Sequence, residues 1–286
     1  MTSNIPTTTT REVVEKILTS LAEAEQPLPS SLELFRQAFS AQSRVKPSLS
    51  LSLPKLKEKA SQRLAQDKPM LTFHEIEFDW TKVQSLFRQI TELAKESLEQ
   101  TPEEIKELDG IAANLDLLKE AAQDWLRSGT VSHKGKTKKS QVSSITGSIL
   151  QAALYPWLRA YANELLPLVT KDSWHQRYCP VCGGSPDFAY LEKEQGARWL
   201  VCSRCDAQWP FYRLACPYCG NQEHASLAFF TDDKGLYRLH VCDKCRRYIK
   251  AIDLRKAVAE VLIPLERMLT LDMDRQALEQ TYKAED

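Results

Sequence analysis

Cys179-Pro-Val-Cys-Gly183, Cys202-Ser-Arg-Cys205, Cys216-Pro-Tyr-Cys-Gly220 and Cys242-Asp-Lys-Cys245 contain all eight cysteines of a 286-residue chain, as four Cys-x-x-Cys pairs confined to residues 179 to 245. Two residues between cysteines let one tight turn aim both sulfurs at a single ion, so four pairs supply two tetrahedra of thiolates. The expected ligands are Cys179, Cys182, Cys202, Cys205, Cys216, Cys219, Cys242 and Cys245, and the expected cofactors are two metal ions. Four thiolates fill a tetrahedron and leave no place for water or substrate, which disfavours metal-assisted hydrolysis. Zinc would make such a site structural. Iron would make it a rubredoxin-type centre that exchanges one electron, and the same ligands suit either ion.

The stretch is a duplication. Cys179-Pro-Val-Cys-Gly183 aligns with Cys216-Pro-Tyr-Cys-Gly220, and Arg198-Trp-Leu-Val-Cys-Ser-Arg-Cys205 aligns without a gap with Arg238-Leu-His-Val-Cys-Asp-Lys-Cys245. Each half reads as a ribbon: a knuckle, a hairpin and a second knuckle. Glycine after the first knuckle accepts the positive φ needed to wrap backbone amides round the sulfurs. The repeat favours pairing within each half, first with second and third with fourth. Interleaved pairing would also complete two sites. Strands are expected at Phe188 to Leu191, Trp199 to Val201, Leu227 to Phe230 and Tyr237 to Val241, which are short and rich in aromatic and branched residues.

Residues 1 to about 170 read as helix. Val13, Val14, Ile17, Leu18 and Leu21 keep helical spacing behind Thr10 as cap, a second helix starts at Ser30 or Ser31, and a third covers Pro54 to Ala65. The proline- and serine-rich run from Lys46 to Pro54 reads as an extended connection. Val83, Leu86, Phe87, Ile90, Leu93, Ala94 and Leu98 share one helical face, with Asp79 as N-cap. Thr101-Pro-Glu-Glu104 is a capping box that opens a helix whose apolar face runs from Ile105 to Trp125. A further helical pattern runs from Val142 to Val169, with Pro156 expected to kink it or start a new helix. After Lys250 the chain is expected to turn helical again, with Val258, Val261, Leu262, Leu265 and Leu269 in register and a last helix in the polar tail.

Charge narrows the function classes. Lys and Arg number 38, as do Asp and Glu. Residues 171 to 256 carry 14 basic and 10 acidic side chains, so two divalent ions each held by four thiolates bring the region near neutrality. Nucleic-acid binding is therefore not expected, since it is driven by net positive charge. Lys134, Lys136, Lys138 and Lys139 lack interleaved aromatics and read as a solvated loop. Polar interruptions at Arg159, Asn163 and Glu164 in the most apolar segment argue against membrane insertion. Met1 to Thr10 resembles no export signal, so a cytoplasmic location is expected, where thiols stay reduced or metal-bound. His175, His224 and His240 lie near the cysteines, but eight thiolates already complete two sites, so they are expected to face solvent or to support the ligands rather than bind the metals. Nucleophile motifs, phosphate loops and dinucleotide fingerprints were not found.

The run Arg177-Tyr-Cys-Pro-Val-Cys-Gly183, Pro186, Arg198 to Cys205, Trp209, Arg213, Cys216 and Cys242-Asp-Lys-Cys-Arg-Arg-Tyr-Ile-Lys250 resembles the FdhE family of formate dehydrogenase accessory proteins. The helical first half and the overall length are similar too. The resemblance implies a cytoplasmic maturation factor that binds the catalytic subunit of a molybdenum- or tungsten-dependent formate dehydrogenase and has no turnover of its own. It also implies two rubredoxin-like sites on the eight cysteines, with iron a plausible occupant. The alternatives are a redox protein passing electrons to that client and, less favoured, a zinc-ribbon nucleic-acid binder.

The expected architecture is α+β. A helical domain spans residues 1–170, four-cysteine ribbons span 171–214 and 215–254, and a helical segment closes the chain at 255–286.

Overall fold

The computed structural model describes residues 11–24, 27–49, 53–128, 143–170 and 174–284. Helices α1 (Arg11–Glu23), α2 (Ser30–Ser43), α3 (Leu53–Leu64), α4 (Trp80–Ser97), α5 (Pro102–Ala113), α6 (Leu115–Arg127) and α7 (Ser144–Leu165) precede strands β1 (Pro186–Leu191), β2 (Arg198–Cys202), β3 (Gln208–Phe211), β4 (Leu227–Thr231), β5 (Tyr237–Cys242) and β6 (Arg247–Asp253). Helices α8 (Ile263–Leu269) and α9 (Leu271–Glu279) follow. The expected order is borne out: a helical N-terminal part, a sheet region carrying the cysteines and a helical end. The lysine cluster at 134–139, the Thr10 cap and residues 50–52 of the expected extended connection lie outside the described residues. Among the described residues no helix is long and apolar enough to cross a membrane.

The chain forms two compact units. One holds the described residues of Thr8–Lys57 and Leu71–Tyr161. The other holds Glu58–Met70 and the described residues from Ala162 onward. In the helical unit the periodicity of α4 works as read, burying Val83, Leu86, Phe87, Ile90 and Ala94, while the Asp79 carboxylate accepts from the Lys82 amide at 3.2 Å. Leu98 departs from that face. It caps the helix and is 45% exposed.

The face from Ile105 to Trp125 belongs to two helices rather than one. Asn114 ends α5 in an extended conformation, and its side chain then accepts from the amides of Asp116 and Leu117, capping α6. Ile105, at 37% exposed, stays outside the core. No new helix starts at Pro156, which lies inside α7. Proline frees the carbonyl four residues earlier, here Ala152, and Gln42 Nε2 donates to it at 2.9 Å.

In the second unit all six strands join one sheet, in the order β3-β2-β1-β6-β5-β4. Each half of the duplication is an antiparallel three-stranded meander, and the halves meet where β1 pairs in parallel with β6, from Phe188↔Lys250 to Leu191↔Asp253. Strands β3 and β6 were not expected. β6 is buried on both faces, so it shows no alternation to read, and it replaces the helix expected after Lys250. The chain turns helical only at Ile263, and Val258, assigned above to a helical face, lies fully exposed before it. Lys250 is buried because its ammonium bonds to Asp274 at 2.6 Å and to the carbonyls of Arg267 and Thr270, fixing the α8–α9 corner on the sheet.

Candidate metal centres

The structure gathers the cysteines by halves. Cys179, Cys182, Cys202 and Cys205 form one group and Cys216, Cys219, Cys242 and Cys245 the other, with the sulfurs of each group within 4.8 Å of one another. The pairing favoured by the repeat is the one found. In the first group Cys179 and Cys205 sulfurs are 3.6 Å apart and Cys182 and Cys202 sulfurs 3.5 Å. In the second, the Cys216–Cys245 and Cys219–Cys242 separations are both 3.7 Å.

A metal–sulfur bond of about 2.3 Å sets the edge of a sulfur tetrahedron at about 3.8 Å, whereas a disulfide needs about 2.05 Å. All eight cysteines are free thiols. The geometry therefore fits a four-thiolate ion in each group and not a disulfide. The two clusters could hold two metal ions.

Local backbone explains the convergence. After the first knuckles, Gly183 and Gly220 both take φ 74°, which lets the Gly183 amide bond to the Cys179 carbonyl and the Gly220 amide to the Cys216 carbonyl, each at 3.0 Å. Amides then face sulfur: Val181 to Cys179 at 3.3 Å, Arg204 to Cys202 at 3.4 Å and Tyr218 to Cys216 at 3.4 Å. The second knuckles reach the same geometry without glycine. Asp206 and Arg246 each take φ 55° and turn their amides onto the carbonyls of Cys202 and Cys242. Their equivalence to each other in the repeat is the sequence signal for these left-handed positions, which carry no glycine.

Other supports were also invisible in sequence. Arg267 on α8 reaches the first centre from 61 or more residues away, bonding Asp206, Asp187 at 2.7 Å and the Cys202 carbonyl at 2.8 Å. The segment following α3 buttresses the other side, where the Met70 amide bonds the Pro180 carbonyl at 2.8 Å and the Tyr178 hydroxyl bonds the Asp67 carbonyl at 2.7 Å. The histidines lie elsewhere. His175 stacks on Tyr212, His224 lies in a short helical turn, and His240 sits in β5 against Phe229. Burial, followed by the charges of Arg198, Arg238 and Arg213, holds His240 neutral, with its pKa lowered to about 3.

The two centres differ in exposure. In the first, Cys179, Cys202 and Cys205 are buried, and burial pushes the Cys179 and Cys205 thiols well above the ordinary range. In the second, Cys219 is exposed and Cys245 half-buried. Reactivity follows thiolate access, so a mercurial reagent monitored by a metallochromic dye should release metal in two phases, the faster from the second centre by about tenfold. Cys219→Ser should abolish the fast phase. A single phase, or a fast phase that survives in Cys219→Ser, would contradict this order.

Comparison with known proteins follows the same residues. Residues 178–213 match the FdhE central domain. The chain is 32% identical over 170 residues to a protein FdhE homolog of Aquifex aeolicus, covering 53% of this chain and 59% of that one. It is 29% identical over 188 residues to a homolog from Stutzerimonas stutzeri, covering 61% and 60%. The matched stretches thus span about three-fifths of these relatives. The crystal structure of the FdhE protein from Pseudomonas aeruginosa superposes with a TM-score of 0.60 at 21% identity, over 96% of this chain and 94% of that one, and shows a shared fold. These findings bear out the resemblance to the FdhE family read from residues 177 to 250.

Proposed function

We propose, from the premise of that FdhE resemblance, that this chain is an accessory factor without turnover of its own. It binds the catalytic subunit of a formate dehydrogenase in the cytoplasm and supports that subunit's assembly or activation. The observation that carries the reading is the closure of both cysteine groups: each offers four thiolates with sulfur separations near a tetrahedral edge, so neither leaves a position for a substrate. Cys179, Cys182, Cys202 and Cys205 would hold one ion, and Cys216, Cys219, Cys242 and Cys245 the other. A bound ion supplies cross-linking of the knuckles and, if it is iron, a one-electron couple.

Under this reading the residues do structural and recognition work. The knuckle amides and the Arg267 contacts hold the first group in place, and the sheet carries both groups as one body. Client recognition then falls to the protein surface. Residues 171–214 and 215–254 are the metal ribbons in this account, 1–170 the helical part and 255–286 the closing segment.

Affinity-tagged full-length protein incubated anaerobically with extract of formate-grown cells tests the function. The expected result is co-purification of the formate dehydrogenase catalytic subunit. Repeated failure to recover it with metal-loaded protein would overturn the proposal.

A further inference from the structure

One face of the β4–β5–β6 meander is covered: Leu239, Val241 and Tyr248 pack with Met273, Ala277 and Tyr282 of the C-terminal segment. The opposite face carries a groove of about 440 Å³, walled on its far side by residues 213–218 of the connection between the ribbons. Its polar lining combines the guanidinium groups of Arg198, Arg213, Arg238 and Arg247 with His240 and with Cys216 and Cys242 of the second cysteine group, and among the described residues no aspartate or glutamate lines it. Arg238 already pairs with Asp253 at 2.7 Å, whereas Arg213 is exposed and Arg247 half-buried.

Three of the lining nitrogens are buried and have no hydrogen-bond partner among the described residues: Nε of Arg198, Nε of Arg238 and Nε2 of His240. Arg198 is 97% buried and satisfies its terminal nitrogen on the carbonyls of Tyr212 and Ala215, leaving Nε unmatched. Buried polar nitrogens without partners are costly, and for the two guanidinium donors an acceptor-rich anionic group is the ligand that would meet them.

The mouth of the groove is apolar. Leu214 and Phe229, both lining residues, are 59% and 51% exposed, and the Arg238 guanidinium lies 5.0 Å from the Phe229 ring centre. Beside it, β4 is a sheet edge. The bonds Asp243 N to Ser226 O and Asp232 N to Tyr237 O set the β4–β5 pattern, so the main-chain groups of Phe229 and Thr231 point away from β5. An edge of that kind is a template for an extended chain.

We infer that this groove and the β4 edge bind an extended acidic segment of another polypeptide, its carboxylates on Arg213 and Arg247 and its apolar side chains on Leu214 and Phe229. A nucleic acid fits less well because the chain carries no net positive charge. The inference rests on the accessory reading, since it names the surface that would meet the client.

The test uses full-length, metal-loaded protein and fluorescence anisotropy. The probe is a pool of labelled hexapeptides alternating Asp or Glu with Leu or Phe, set against a pool with Lys in the acidic positions. The acidic pool should bind and the basic pool should not. Arg213→Glu should weaken binding at least tenfold and Phe229→Ala about fivefold, consistent with charge-assisted and apolar contacts, with metal content unchanged in both. Equal binding of the two pools, no binding of the acidic pool, or unaltered binding in Arg213→Glu would overturn the inference. So would preferential binding of oligothymidylate or citrate, which would make the groove a nucleic-acid or small-anion site.

In the pull-down, capture of the client by wild type and equally by both variants would sink the groove and leave the accessory reading standing. Acidic peptide binding without client capture would do the reverse.

Discussion

Cys179→Ser is expected to cost the chain one metal ion and the fold of its first ribbon, while the helical unit keeps its secondary structure. Cys179 is buried, its sulfur receives the Val181 amide at 3.3 Å, and it lies 3.6 Å from Cys205, so a serine oxygen has neither the reach nor the charge to complete the tetrahedron. Structural sites contribute on the order of 10 kcal/mol to folding at neutral pH, comparable with the whole stability of a domain. Metal analysis should therefore find one ion where wild type has two, and limited proteolysis should cut between residues 178 and 211. The cysteines of the second group all lie in the other half, so that group should keep its ion, although β6 loses its neighbour β1. Retention of both ions would contradict the ligand assignment, and loss of both would contradict independent centres.

Asp253→Ala should be the most damaging substitution away from the cysteines. The carboxylate is fully buried where the two ribbons join, accepting from Arg238 at 2.7 Å and from Arg255 at 2.6 and 2.8 Å. Removing it leaves two guanidinium groups facing each other without a counter-charge, an effect that typically costs about 3–5 kcal/mol. A denaturation midpoint for the sheet unit should fall accordingly. A loss within about 0.5 kcal/mol, the usual range for surface changes, would show that this carboxylate does not offset the two guanidinium groups.

The same group gives a pH dependence. Burial raises the Asp253 carboxyl, but hydrogen bonds and charge from Arg255 and charge from Arg238 outweigh it, and its pKa is lowered overall. A lowered acid stabilises the fold above its unfolded value of about 3.9, and that contribution disappears as pH falls through the folded value. Asp253→Asn should therefore flatten the acid limb of the stability curve below about pH 4.

The metal groups and most of the helices were legible because their signals are local. A Cys-x-x-Cys pair is a turn, and the Thr101 capping box is confined to four residues. The repeat also carried the pairing of cysteines across 20 to 29 residues, because two aligned halves imply two equivalent sites.

What stayed hidden depends on contacts distant in sequence. Nothing local marks Lys250 as buried, yet its ammonium is matched by Asp274 and two carbonyls that only the fold brings there. The β6 strand has no alternation because both of its faces are covered. Ala152, four residues before Pro156, has its carbonyl satisfied by Gln42, which arrives from another helix. Asp206 and Arg246 occupy left-handed positions that a glycine would have advertised.

The account turns on two closed four-thiolate centres, and X-ray absorption with metal quantitation on anaerobically purified protein tests that most directly. It predicts about two ions per chain, each with about four sulfur neighbours near 2.3 Å and no oxygen or nitrogen in the first coordination sphere. Iron or zinc satisfies that prediction equally. Fewer than two ions, a mixed sulfur and oxygen or nitrogen environment, or sulfur–sulfur bonds near 2.05 Å would contradict it.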